Sequence, residues 1–198
     1  MFGYIGKILI VDLTTGKTDE KTLDPELLSK YIGGRGLTTK ILYDELKPGI
    51  DALSEENIMV FMTGPLTGLA CSSGRFCIAS KSPLTGTIFD SQVGGTFGVE
   101  LKKGGYDGII ILGKSKKPVY LMINDGKAEL KDAKNLWGKN TGECTDLILN
   151  KEGKNVKVSC IGPAGEHLVR YACIITEKER AAGRGGLGAV MGSKNLKA

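Results

Sequence analysis

The residues with the most chemical promise are glycines set beside arginines. Arg75 precedes Gly94-Gly95, and Arg180 precedes Gly183-Arg184-Gly185-Gly186-Leu187-Gly188. Glycine lets backbone N–H groups come close to an anion, and arginine offers phosphate a planar, bidentate fork. Where a helix starts behind such a loop, its dipole adds to the attraction. Two clusters of this kind predict a related pair of sites for phosphate-bearing groups. Tight turns edged by solvated arginines are the other arrangement these residues allow.

Other chemistry has less support. Residues 183–188 match G-x-G-x-x-G, but they follow Glu177-Lys178-Glu179-Arg180-Ala181-Ala182. A dinucleotide fold needs a strand there and an acid about 20 positions on. No P-loop pattern occurs. His167 is the one histidine, so no Ser/His/Asp or Cys/His arrangement can be built on it. The five cysteines, Cys71, Cys77, Cys144, Cys160 and Cys173, include no C-x-x-C pair. That argues against a disulfide framework, a zinc ribbon or an iron–sulfur cluster held by this chain. Phe76-Cys77-Ile78 and Ala172-Cys173-Ile174 read as small buried hydrophobes.

The 198 residues, 41% hydrophobic and 25% charged, describe a globular protein with a real core. The net charge of +5 is dispersed and aromatics are only 6%, which speaks against a nucleic-acid surface. No run reaches the ~18 apolar residues of a membrane helix. The start, Met1-Phe2-Gly3-Tyr4, lacks the features of a signal peptide, so a cytoplasmic location and no membrane partner are expected.

The elements that must carry the glycine–arginine clusters follow from periodicity and turn chemistry. Strands are expected at 7–13 and 18–22, then a helix capped by Asp24-Pro25 and broken at 33–36, then a second helix burying Leu37, Ile41, Leu42 and Leu46. Strands at 58–63, 75–80 and 87–90, a helix at 96–103 and a strand at 108–112 follow. Strands at 119–123 and 127–131 flank Asn124-Asp125-Gly126, a hairpin turn. A helix at 141–151 and strands at 156–161 and 169–176 complete the series.

The order repeats. Asn57-Ile58-Met59-Val60, Gly64-Pro65 and Arg75-Phe76-Cys77-Ile78 are echoed by Asn155-Val156-Lys157-Val158, Gly162-Pro163 and Arg170-Tyr171-Ala172-Cys173-Ile174. Gly16-Lys17 returns as Gly126-Lys127, and Gly94-Gly95 as Gly185-Gly186. The offsets are about 90 to 110 residues. The fold class read from this is α+β: an internally duplicated domain, with repeats about 1–113 and 114–198, mostly antiparallel sheets and a few helices. Arg75 is expected over or near Arg170. Residues 190–198 fall where the repeat calls for another strand, so the natural protein is expected to continue beyond Ala198.

At these residues the sequence resembles the aldehyde:ferredoxin oxidoreductase family. Gly34-Arg35-Gly36-Leu37, Gly64-Pro65-Leu66-Thr67-Gly68, Lys81-Ser82-Pro83-Leu84-Thr85-Gly86, Gly94-Gly95-Thr96-Phe97-Gly98 and Arg180-Ala181-Ala182-Gly183-Arg184-Gly185-Gly186 carry the resemblance, with Gly188-Ala189-Val190-Met191-Gly192-Ser193-Lys194 behind them. It implies an amino-terminal domain, 1–198, on which a tungsten or molybdenum bis-molybdopterin cofactor sits, with magnesium joining the two pterin phosphates. Further, mostly helical domains of the same polypeptide would carry a [4Fe–4S] cluster and the substrate cavity. The implied reaction oxidises an aldehyde with water to a carboxylic acid and reduces ferredoxin; a homodimer is left open, and this chain alone is expected to be inactive.

Residue by residue, Arg75 matches an arginine that contacts pterin, and Gly94 and Gly95 match the loop beside one pterin. Arg180, Ala181, Gly183 and Arg184 match the second binding stretch. The resemblance assigns backbone carbonyls of Ala181 and Gln92 to magnesium. Gln92 stands where relatives can carry asparagine, a change that a backbone role tolerates. A pterin-binding module without catalysis, and a nucleotide- or RNA-binding domain, are the alternative functions.

Overall fold

The computed structural model describes residues 3–198. The reading of the amino-terminal start rests in part on Met1 and Phe2, which lie outside the described residues. The fold is mixed: three sheets, mostly antiparallel, with six helices among the described residues.

In chain order, β1 (Lys7–Asp12) and β2 (Lys17–Thr22) form a hairpin, followed by α1 (Pro25–Tyr31) and α2 (Gly34–Glu45). Next come β3 (Met59–Thr63), β4 (Phe76–Lys81), β5 (Ile88–Val93), α3 (Phe97–Lys103) and β6 (Gly108–Leu112). These strands make one six-stranded sheet in the order β2-β1-β6-β3-β4-β5, in which only β1 and β6 run parallel. The hairpin β7 (Val119–Asn124) and β8 (Lys127–Asp132) then leads to α4 (Thr141–Glu152). The chain ends in β9 (Ser159–Cys160), α5 (Pro163–Glu166), β10 (Ile174–Thr176), β11 (Arg180–Ala182) and α6 (Leu187–Ser193). The last three strands form a sheet in the order β11-β10-β9.

Local sequence explains most of these boundaries. The Asp24 carboxylate accepts from the Glu26 N–H, and Pro25 occupies the first helical turn, where its missing donor costs nothing. Asp125 and Gly126 both take positive φ, as the hairpin turn demands. Asn140 and Glu143 close a capping box on α4. The break at 33–36 ends α1, as expected, but Gly34 to Gly36 form the first turn of α2. A Cβ on Gly36 would stand 2.2 Å from the Tyr31 carbonyl oxygen, so glycine lets α2 start directly against α1.

Alternating strand residues divide the apolar side chains into layers. Leu9, Val11, Met59, Phe61, Ile109 and Ile111 face a central core shared with Val190, Met191 and Leu196. Ile8, Val60, Met62 and Ile110 face the other way, onto Leu28 of α1 and Leu37, Ile41 and Leu42 of α2. Tyr120, Val158 and Cys160 pack on Cys144 and Ile148 of α4.

Three expectations need correction. Strand β5 runs on to Val93, because it pairs with β4 along its whole length and its exposed edge tolerates Ser91 and Gln92. The expected strand at 156–161 is reduced to Ser159–Cys160, and that at 169–176 to Ile174–Thr176. Leu168 takes φ 58 and Ala172 bonds back to Val169, so the stretch before β10 turns instead of extending. Strand β11 and helices α5 and α6 carried too little periodicity to be read. In α6 all seven residues are buried, and its glycines admit backbone: a Cβ on Gly192 would meet the Gly165 oxygen at 2.0 Å.

Residues 195–198 join the second half together. The Val119 carbonyl accepts from Lys197 N–H at 2.8 Å, Leu121 N–H donates to the Ala198 carbonyl at 3.0 Å, and Ile161 N–H donates to the Lys197 carbonyl at 3.0 Å. The Lys197 side chain is fully buried, donating to the Lys139 carbonyl at 2.9 Å and pairing with Glu166, whose side chain is only 3% exposed. Replacing the cation alone would strand a buried carboxylate. Lys197→Met is expected to lower stability by roughly 3–5 kcal/mol in denaturant titrations. The exposed Lys103→Met should change little; equal losses in the two variants would contradict this account.

Candidate functional site

Two edge strands bring the glycine–arginine clusters together. Strand β5 closes the six-stranded sheet and β11 closes the three-stranded one, and each leaves one side of its backbone without a strand partner. A Cβ placed on Gly94 would find only the Arg180 Cδ, at 3.9 Å, so the β5–α3 loop lies beside the Arg180 side chain.

Glu177, in the turn between β10 and β11, fastens this junction. Its carboxylate accepts from the Thr96 N–H at 2.7 Å and from the Thr96 hydroxyl. A Cβ on Gly95 would lie 2.0 Å from the same carboxylate, and Gly95 takes φ +96, so both space and conformation require glycine. On the other side of the loop, a Cβ on Gly74 would lie 2.2 Å from the Gly95 oxygen, which sets Arg75 beside the junction. Below it, Ser82 Oγ donates to the Gly185 carbonyl at 2.6 Å, and a Cβ on Gly185 would enter the Phe89 ring at 2.3 Å.

The expected residues are distributed as follows. Arg75, Gln92, Arg180, Ala181, Gly183 and Arg184 are exposed, and Gly94 and Gly95 are half-buried. Gly94, Gly95 and Arg180 are in direct proximity. Ala181 is next to Arg180 on β11, opposite Ile175. The Gln92 side chain is engaged within its own strand, donating to Asp90 at 3.2 Å. Gly183 is open, since a Cβ there would meet only Ala181 at 3.9 Å. No hydrogen bond or ion pair links Gly183 or Arg184 to the Gly94 loop among the described residues; the two follow β11 directly in the chain. Helices α3 and α6 begin just behind the two loops; the first was expected from the sequence and the second was not.

Charge is concentrated on the same face. Arg35 holds Asp90 at 2.9 Å, and this contact raises its pKa further. Arg75, Arg180 and Arg184 have no carboxylate within 4.0 Å among the described residues. Cys77, beneath Gln92 in the β4–β5 register, is no ligand candidate. Burial pushes its thiol up to about 11, so it stays protonated at neutral pH. Among the described residues no three His, Cys, Asp or Glu side chains come together as a metal group.

Sequence reasoning missed Glu177, Thr96 and Ser82. The Glu177–Thr96 contact spans 81 positions, and nothing local marks either residue.

Comparison with known proteins bears on this face. Residues 8–198 match the family model for the aldehyde ferredoxin oxidoreductase N-terminal domain. The chain is 50% identical over 200 residues to the tungsten-containing aldehyde ferredoxin oxidoreductase of Pyrococcus abyssi, covering all of this chain and 33% of that protein. It is 49% identical over 200 residues to the enzyme of the same name from Pyrococcus horikoshii, with the same coverage. Among solved structures, the active site complex BamBC of benzoyl coenzyme A reductase, in complex with 1,5-dienoyl-CoA, superposes with a TM-score of 0.96 at 40% identity. That match covers 99% of this chain and 30% of the other. The chain thus spans about a third of the length of the curated relatives it matches. On the family match across 8–198, and on identities near one half over its whole length, the chain belongs to the aldehyde ferredoxin oxidoreductase family, as its amino-terminal domain.

Proposed function

We propose that this domain is the base on which a tungsten or molybdenum bis-pterin cofactor rests in an oxidoreductase that converts aldehydes to carboxylic acids and passes the electrons to ferredoxin. The observation that carries the reading is the face where β5 meets β11: three arginines without acidic partners among the described residues, beside half-buried backbone at Gly94 and exposed backbone at Gly183. Such a face fits a group with phosphates. Glycine admits the ligand to the backbone, and each arginine offers charge-assisted donors. The aldehyde reading, over the other activities among relatives, follows the higher identity: 45–50% to the aldehyde enzymes against 43% to the aliphatic sulfonate oxidoreductase subunit.

The cofactor, when bound, supplies the redox chemistry at its metal. This chain's residues bind and orient it. Arg75 and Arg180 provide charge on the two sides of the Gly94-Gly95 loop, and Arg184 adds charge behind Gly183. The Ala181 and Gln92 carbonyls are oxygen donors of the kind magnesium accepts. Glu177 is a positioning residue: it fixes the loop through Thr96. Iron–sulfur ligation, the aldehyde cavity and the ferredoxin surface belong to the remaining domains of the polypeptide.

The duplication read from the sequence is part of this proposal, since it gives two related cradles to two pterins. The hydrogen-bond pattern supports it. The Thr63 N–H to Asp107 carbonyl bond and the Asp107 N–H to Lys7 carbonyl bond, both 2.8 Å, recur as Ile161 to Lys197 and Lys197 to Val119. The sheet order β2-β1-β6-β3-β4-β5 recurs as β8, β7, residues 195–198, β9, β10, β11. One detail is corrected. Met62 pairs with Cys77, and Cys160 with Ile175, so Arg75 corresponds in register to Cys173 and not to Arg170. Arg170 instead places its carbonyl against Gly186.

Full-length protein purified from cells supplied with tungstate should contain pterin and metal and reduce viologen with crotonaldehyde. The 198-residue domain alone should not. A full-length protein free of pterin and metal would overturn the reading. In that protein Arg180→Ala should lower cofactor content, with a loss of roughly 1.5–3 kcal/mol for a charge-assisted contact. Gly183→Val should do at least as much, and the exposed hairpin Lys127→Ala should do nothing; equal loss in all three would remove the cradle from these residues.

Glu177→Ala should loosen the Gly94–Thr96 loop and cost about 0.5–1.5 kcal/mol of stability, because the exposed Thr96 N–H exchanges its carboxylate acceptor for water. Glu177→Gln, which keeps an acceptor oxygen, should recover most of both stability and cofactor content. Indistinguishable behaviour of the two variants would remove the positioning role.

A further inference from the structure

Arg35 differs from the other arginines near the Gly94 loop. Arg75, Arg180 and Arg184 have no carboxylate within 4.0 Å among the described residues, whereas Asp90 holds Arg35 through Nε at 2.9 Å. The two side chains are unequally covered: that of Arg35 is 68% exposed and that of Asp90 only 19%. An ion pair open to water contributes little stability, so the fold gains little from this one.

Its surroundings fix the pair in place. Asp90 Oδ2 accepts from Gln92 Nε2 at 3.2 Å, and the Cys77 thiol approaches the same oxygen at 3.9 Å. The Cys77 sulfur lies 3.6 Å from Thr38 Oγ1, whose hydroxyl donates to the Arg35 carbonyl at 3.0 Å. These contacts close a ring, from the Arg35 carbonyl through Thr38, Cys77 and Asp90 back to the Arg35 guanidinium. The ring ties the first turn of α2 to edge strand β5 and holds the Arg35 side chain at both its ends. The Nη groups of Arg35, by contrast, make no hydrogen bond to a described residue.

Strand register decides what these groups face. Cys77 pairs with Gln92 and Ala79 with Asp90, and both Cys77 and Ala79 pack on the side of Leu37, Ile41 and Leu42 of α2. Asp90 and Gln92 therefore project on that side of the sheet. Alternation carried one residue beyond β4 puts Arg75 there as well, across from Gly94. Arg35 and Arg75 thus approach Gln92 from two different elements, and Arg180 lies next to Gly94. Asp90 is offset by Arg35, and Glu177 by Lys157 at 3.7 Å, so Arg75 and Arg180 leave this corner positive.

We propose that Arg35 is a further anion-binding residue of the face, aimed by Asp90, whose Nη pair takes a phosphate oxygen of the cofactor at the Gln92 end of β5. The inference rests on the reading of the face as the seat of a phosphate-bearing cofactor, and deepens it by adding an arginine from α2. Anchoring singles this residue out. A free arginine loses much rotamer freedom when it binds a ligand; one already tied through Nε loses less and keeps its planar donors.

The test uses phenylglyoxal, which adds to the Nη pair of arginine, on full-length protein made in cells that supply the pterin and in cells that cannot. Peptide masses report each arginine separately. Arg35 should react at least about tenfold more slowly in the pterin-loaded protein, as a charge-assisted contact there requires. Arg170, which has no assigned role, should react alike in both. Arg35→Lys keeps a charge for Asp90 but not the planar fork. It should lower pterin content at least about threefold and leave the melting temperature of the pterin-free protein unchanged. Equal reactivity of Arg35 in the two forms, or full pterin content in Arg35→Lys, would overturn the inference and leave a surface ion pair. A wild-type protein without pterin in cells that supply it would overturn the reading of the face itself, and this inference with it.

Discussion

The bond between the Glu177 carboxylate and the Thr96 backbone is the contact on which the proposed binding face depends. It holds the edge of one sheet against the turn of another, across elements that no strand pairing joins. It can form only because Gly95 has no side chain, and Gly74 and Gly185 give way in the same manner to a carbonyl and a phenyl ring. The seam is therefore built from missing Cβ atoms. The glycine abundance that stands out in the composition is, at these positions, a packing requirement, and the half-buried backbone at Gly94 and exposed backbone at Gly183 are by-products that a ligand can use.

Buried lysines fix the rest of the second half in place. Lys194, fully buried, donates to the carbonyls of Asn57 and Gly113 and so ties α6 to the first half; burial lowers its pKa to about 8. Lys197 pairs with Glu166, and the buried Asp107 carboxylate accepts from the Ile5 and Gly6 N–H groups. Each buried charge has its partners, as a low-dielectric interior requires. Arg75, Arg180 and Arg184 stand in contrast, exposed and without a carboxylate within 4.0 Å among the described residues, as the proposed anion site requires.

Much of the fold was legible because it is local. Asp24-Pro25, Asn124-Asp125-Gly126 and the apolar stripe of Leu37, Ile41 and Leu42 each state their structure within a few residues. What was not legible is decided at a distance. Strand β11 exists through pairing with β10, and Gln92 lies in a strand because β4 continues beside it. The expected match of Arg75 with Arg170 came from similar letters, whereas strand register is set by hydrogen bonds, which in the proposed alignment of the two halves bring Cys173 to that position. For the site, the glycines and arginines were readable as types, but the partner that orders them, Glu177, had no mark of its own.

The central claim is that the cofactor sits on the face where β5 and β11 meet. Anomalous diffraction from crystals of the full-length protein, recorded at the tungsten and molybdenum absorption edges, tests this most directly. The account predicts the strongest peak above that face, on the side of Arg75, Arg180 and Gly94. A metal peak elsewhere, for instance against the β7–β8 hairpin, would contradict it.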